Sequence, residues 1–322
     1  MRRVPPGLRD MAVSAFWFSL MSLGVKTAGR RLPIQEVVLV RGVVTLALSW
    51  AVLRRAGLAV RVPGRGRQGL LVLRGLFGTA GLTCFYASLA RLPLAEATLL
   101  QYTNPLWAAA LAALVLGERV RPRDLLALAA GAAGVAMVVG PGLAGARRGA
   151  LGAAGGVGLE AAAVGLLGAA CSAAAYVVIR RMGAAEDARR VTLYLPLVTV
   201  PATLPTALPG WVWPTAGEWL VLAGVGASTQ LAQTYMTRGL QRERAARATA
   251  VGYLQLVFAA LWGWLAFGDR PGAWTAAGAA TIVLGTLVLA LRRGGRGGAG
   301  GGARGEPAPA AAASAAETAE AP

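Results

Sequence analysis

The chain is a series of long uncharged apolar runs separated by short clusters of arginine. Residues 125–146 and 191–217 contain no charged side chain at all. About 20 such residues make a helix long enough to cross the hydrocarbon of a bilayer. Lipid offers no hydrogen bonds, so a spanning backbone must be a helix or a closed barrel. Barrel strands alternate apolar and polar residues, and these runs do not. The expected fold class is therefore all-α integral membrane. Uncharged runs place ten spans at roughly 10–28, 36–53, 70–90, 95–116, 123–140, 158–179, 190–208, 217–238, 247–267 and 273–291. The first is read as a retained helix, since no small-x-small cleavage site follows it before Lys26. The tail, 293–322, is rich in Gly, Ala and Pro and reads as disordered.

Composition agrees. The chain is 56% apolar and 14% charged, where soluble proteins average roughly 45–50% and about 25%. A formal charge of +18 could point to nucleic acid. The arginines instead lie in short loops between apolar runs, the pattern of cytoplasmic membrane loops. With the N-terminus inside, 23 of the 32 Lys and Arg face the cytoplasm and seven face out. An even number of spans returns the C-terminus to the same side. The partner this implies is the lipid bilayer, not nucleic acid.

Several chemistries are excluded. The chain has no histidine, which removes imidazole bases and ligands. Cys84 and Cys171 sit inside apolar runs and read as small packing residues. There is no acidic cluster for a metal and no Gly-Lys-Ser loop for a nucleotide, so no cofactor is expected. An intramembrane aspartyl protease needs two embedded aspartates, and Asp10, Asp124, Asp187 and Asp269 all fall near run edges. The expectation is that the protein is not an enzyme. An enzyme without His-based chemistry and a membrane sensor or scaffold stay as alternatives.

The two halves resemble each other at an offset of 151 residues. Ala97-Thr98 matches Ala248-Thr249, Tyr102 matches Tyr253, and Asn104 aligns with Gln255. Gly75 matches Gly226, Gly134 matches Gly285, and Gly117-Glu118-Arg119 aligns with Gly268-Asp269-Arg270. Five spans per half force the second half to enter the membrane upside down. Loop charge agrees: the loop after the second run has five arginines, and its counterpart, ending PGWVWPTAGEW, has none. Inverted repeats of this kind typify secondary transporters, with the site near the midplane between the halves. The expected domains are 1–145 and 146–292, followed by the tail.

The segment LARLPLAEATLLQYTNPLWAAALAALVLGERVRPRDLLALAAGAAGVAMVV, 89–139, resembles the EamA-type families of the drug/metabolite transporter superfamily. Its marks are an Ala-rich helix with an internal proline, a Leu-Gly-Glu stop, and a small-residue helix after it. A weaker copy covers 240–289, and 18–42 also fits, so the resemblance spans about 10–291. The second copy has Leu256 in place of Pro105 and Asp269 in place of Glu118. The resemblance implies ten helices in two inverted five-helix repeats. It also implies export or import of a small metabolite or drug-like solute across the cytoplasmic membrane by alternating access; export is the expected direction.

Polar side chains at mid-membrane are costly unless they face protein or a wet cavity. Thr98, Gln101, Asn104 and Pro105 share one face of the fourth run at i, i+3 and i+4 spacing. Pro105 also frees the Gln101 carbonyl. The eighth run carries Gln230, Gln233, Thr234 and Thr237, and the third carries Thr79, Thr83 and Tyr86. With Tyr102, Tyr253 and Gln255 these are the candidate pathway residues. The competing reading is helix–helix packing. Arg41 either binds an anionic group, pairs with Glu36 or Glu96, or snorkels to the surface. Glu96 is the candidate for proton coupling, and Glu118 and Asp269 for gating. The runs at 123–140 and 273–291 present small-residue faces that either pack internally or form a homodimer.

Overall fold

The computed structural model describes residues 4–62, 64–89, 91, 100–150, 157–267 and 272–291. Among them the secondary structure is helical throughout. Helices α1 (Pro6–Ala28), α2 (Ile34–Arg55) and α3 (Arg65–Leu89) come first. Then follow α4 (Asn104–Leu116), α5 (Pro122–Ala150), α6 (Val157–Met182) and α7 (Ala188–Ala207). The series ends with α8 (Ala216–Arg242), α9 (Ala245–Gly252), α10 (Leu254–Phe267) and α11 (Ala273–Leu291). Six stretches of the described residues are long and apolar enough to cross a membrane, in α1, α2, α3, α6, α7 and the α9–α10 pair. The protein is thus a multi-pass helical membrane protein. The tail 293–322 lies outside the described residues.

Caps and prolines set several boundaries. Pro5 and Pro33 stand at the N-caps of α1 and α2, where a missing N–H costs nothing. Thr215 and Glu218 form a reciprocal capping box at the start of α8. Gly117 ends α4 in the left-handed conformation (φ 64°), which glycine adopts without a Cβ penalty. Asp187 caps α7 by accepting from the Arg189 backbone N–H at 2.8 Å.

The helices pair in a regular way. α1 packs on α8 and α3 on α6; α2 packs on α7, and α5 on α11. α2 also meets α8, as α3 meets α7. Small residues set the closest approaches. A Cβ on Gly134 would lie 2.7 Å from the Gly278 carbonyl oxygen of α11. One on Gly285 would lie 3.0 Å from Ala130 of α5. The small-residue faces of α5 and α11 therefore meet each other inside the chain. Without a hydrophobic drive between helices in lipid, such close approach is the main source of contact energy.

Apolar clusters fill the spaces between. One gathers Leu8, Met11, Ile179, Met236 and Leu240 from α1, α6 and α8. Another joins Ala109, Leu128, Ala250, Tyr253 and Ile282. Cys84 and Cys171 are free thiols within the packing.

Candidate functional site

The fourth run is expected as one helix with a single polar face, and the structure corrects this. The helix present at Leu100-Gln101 gives way to a turn at Tyr102-Thr103, and α4 starts at Asn104. The cause is local. Pro105 cannot donate a backbone hydrogen bond to the Gln101 carbonyl. The chain tightens instead, with the Thr103 N–H donating to the Leu100 carbonyl at 3.1 Å and the Thr103 hydroxyl to the same oxygen at 2.6 Å.

A second break lies 151 residues on, at Tyr253, between α9 and α10. No proline causes it. Tyr253 is seated against Gly131 of α5, where a Cβ would run into its ring. Its hydroxyl donates to the Tyr102 carbonyl at 3.2 Å, and the two rings stack 6.2 Å apart at 29°. The two interruptions therefore touch. By helix rise of about 1.5 Å per residue, Tyr253 lies about 12 Å from Ala245, and Asn104 about 18 Å from Leu116. Those two ends are neighbours, because Glu118 accepts from the Ala245 backbone N–H at 3.1 Å.

Polar side chains surround the paired breaks. Asn104 is 5% exposed, and its Oδ1 has no hydrogen-bond partner. Its side chain lies against the Tyr176 hydroxyl of α6. Gln101 donates to the Ser172 hydroxyl at 3.5 Å, while its Oε1 is buried and unpartnered. Gln255 is half-buried. These orphaned acceptors matter because an unmet buried polar atom costs about 1–3 kcal/mol.

Arg74 of α3, a charge inside the third apolar run, is a candidate that periodicity and spacing did not bring out. It is 2% exposed. Its Nη2 donates to the Gln233 Oε1 of α8 at 3.1 Å, and its Nε donor has no partner. Tyr176 is its other electrostatic neighbour. The signal lay in RGLFG: Gly78, one turn on, leaves the room the guanidinium fills, since a Cβ there would strike Nη1.

Other candidates are placed as follows. Gln230 is buried and accepts from the Ser49 hydroxyl of α2 at 2.6 Å. Thr79 exchanges a 2.9 Å hydrogen bond with Thr199 of α7. Both tie helices together. The Thr234 hydroxyl bonds back to the Gln230 carbonyl of its own helix, and Thr83 is exposed. Arg41 does not pair with Glu36. Its Nη1 approaches the Met21 sulfur at 3.5 Å, and Glu36 accepts from the Val212 backbone N–H at 2.9 Å. Glu96, Thr98 and Asp269, and the side chain of Tyr86, lie outside the described residues.

Ion pairs gather at one end of the bundle. Glu118 accepts from Arg180 Nε at 2.6 Å, and Arg180 donates on to the Gln241 carbonyl at 3.0 Å. Glu186 takes both Arg67 and Arg190. Asp10 pairs with Arg242, and Asp124 lies 3.8 Å from Arg244. At the other end Arg31 pairs with Glu218. That contact raises the Arg31 guanidinium further above its ordinary range.

The helices and the two touching breaks make this a multi-pass helical membrane protein with polar side chains buried where the breaks meet. The comparisons narrow the class. The model of the EamA-like transporter family matches twice, over residues 9–140 and 159–291. The chain belongs to this family, within the drug/metabolite transporter superfamily. It is 31% identical over 292 residues to the pseudopaline exporter CntI of Pseudomonas aeruginosa, covering 90% of this chain and 97% of that one. It is 26% identical to human solute carrier family 35 member G1, covering 89% and 79%. It is 27% identical to the riboflavin transporter of Vibrio cholerae, covering 79% and 81%. A solved crystal structure at 23% identity shares the fold, with a TM-score of 0.74 over 90% of this chain and 99% of that chain. These relatives are named as transporters and carriers, not as enzymes.

Proposed function

We propose that the protein is a secondary transporter that exports a small metabolite or drug-like solute across the cytoplasmic membrane by alternating access. The observation that carries this is the pair of touching helix breaks at Tyr102 and Tyr253, flanked by the orphaned acceptors of Gln101 and Asn104. At about 12–18 Å from one end, the breaks stand near the middle of an about 30 Å hydrocarbon layer. Interrupted helices at that depth present backbone and side-chain polarity to a solute rather than to lipid. An exporter among the relatives supports the direction.

The proposed architecture is ten spans in two inverted five-helix repeats, 1–145 and 146–292, with both termini and the 293–322 tail in the cytoplasm. The exchange of partners between halves supports it: α1 on α8 mirrors α6 on α3, and α2 on α8 mirrors α7 on α3. The ion-paired end is the arginine-rich one, which fits the cytoplasmic side. There Glu118 and Arg180 tie α4, α6 and α9, and opening toward the cytoplasm separates them. Proton coupling through Glu96 belongs to the same proposal.

The test is counterflow uptake into proteoliposomes across a metabolite panel, with and without a pH gradient. Gln101→Ala and Asn104→Leu should each lower uptake of the identified solute at least tenfold, with little change in melting temperature. Movement of no solute at all would favour a sensor or scaffold. Full transport by both variants, with loss in Arg41→Ala, would move the site to α2.

A further inference from the structure

We infer that the solute carries a carboxylate and that Arg74 is its anchor. The inference rests on the transporter reading and names the class of solute the same seam would take.

A guanidinium stays charged in a protein, and it carries five N–H donors. At mid-membrane such a charge is held only where protein or water compensates it. Arg74 lies about 12 Å of helix rise beyond Gly66, well inside the apolar stretch Gly66–Phe85. Yet among the described residues no Asp or Glu pairs with it. Its hydrogen-bond partner is a neutral amide, Gln233, and its Nε donor is unmet. Two other buried charges, among the described residues, have ionic partners, while buried Glu36 holds only the Val212 N–H. Asp124 has Arg244, and Glu186 has two arginines. Among the described residues, Arg74 is a buried cation with no negative charge paired to it.

The surroundings also say where a negative charge would sit. Tyr176 of α6 is a neighbour of Arg74 and lies against Asn104, whose Oδ1 is orphaned. Arg74 is thereby linked through one phenol to the helix break at Tyr102-Thr103. A ligand anion on Arg74 would have hydroxyl and amide donors within the same group. A single guanidinium balances one negative charge, which suits a carboxylate. A phosphate carries up to two and would leave one unbalanced in a low-dielectric site. The planar N–H fork also matches the two carboxylate oxygens.

The experiment uses the full chain in detergent and in proteoliposomes. Matched probes are amino acids and their amides: leucine and leucinamide, phenylalanine and phenylalaninamide, aspartate and asparagine. Succinate and inorganic phosphate complete the set. Wild type should show a rise in melting temperature with at least one carboxylate and less with its amide. Arg74→Gln should lose that rise, and Arg74→Lys should keep part of it. Equal response to acid and amide would overturn the inference, as would a response to phosphate alone, to no carboxylate, or an undiminished one in Arg74→Gln. If Arg74→Gln folds poorly and adding Glu96→Gln restores it, Glu96 is the counter-ion and the inference fails. The transporter reading separates cleanly. Carboxylates that bind without being carried would sink transport and keep the anchor. Neutral solutes carried with no carboxylate response would do the reverse.

Discussion

Helices α3 and α8 occupy corresponding places in the two matched halves, and they share shape while differing in chemistry. Gly75 and Gly226, 151 residues apart, both press against a neighbour. A Cβ on Gly75 would lie 2.5 Å from the Tyr194 carbonyl of α7, and one on Gly226 would strike Val44 of α2. One turn further, Thr79 bonds Thr199 of α7, and Gln230 accepts from Ser49 of α2. At the first turns the tie is kept with its charges exchanged. Arg67 of α3 reaches Glu186 between α6 and α7, whereas Glu218 of α8 reaches Arg31 between α1 and α2. Elsewhere along their length the helices part company. Arg74 stands where α8 has Val225, and Leu82 where α8 has Gln233. The close contacts that hold a bundle together can be common to both halves, while the buried polar load is carried unequally.

The largest effect should come from overfilling the two glycines. Gly75→Leu faces a backbone oxygen that cannot yield, and Gly226→Leu faces a valine side chain that can. Overpacking costs about 1–3 kcal/mol, with Gly75→Leu at the upper end. Melting temperatures in detergent should rank the two that way, and equal losses would break the comparison. Next is the ionic tie. Glu186→Ala removes a buried carboxylate shared by two arginines and should cost about 2 kcal/mol, the value of hydrogen bonds to charge. Glu218→Ala should shift melting far less, and by an amount that fades with added salt. Smaller again is the polar rung. Ser49→Ala strands the buried Gln230 oxygen, at about 1 kcal/mol. Thr199→Val should cost about half as much, because the Thr79 hydroxyl can turn back to its own helix. Comparable losses for Ser49→Ala and Thr199→Val would show that the amide is no more committed than the hydroxyl.

Much of the architecture is legible in the sequence. Uncharged runs of 20 residues have few ways to satisfy their backbone, so their length and period lead directly to membrane helices. The small faces of α5 and α11 were readable as packing surfaces, though not that they pack on each other. The break at Tyr102-Thr103 was half-legible, because Pro105 announces a missing donor. Its partner at Tyr253 was not, since Leu256 stands in the proline's place. What opens that helix is a ring held on Gly131 and a hydroxyl held by the Tyr102 carbonyl.

By itself, the sequence determined the class, the family and the positions where polarity enters the apolar runs, because these depend on composition and spacing along one chain. Tertiary structure alone decided which polar groups meet. Helical periodicity says that Thr79 and Gln230 share a face with their neighbours, but not that Thr199 and Ser49 face them. It says that Arg74 lies in an apolar run, but not that Gln233 is the group beside it. The division is physical. A backbone in lipid must satisfy its own hydrogen bonds within each helix, so the helices are written locally. A buried side chain takes its partner from another helix, and that choice exists only once the helices have packed.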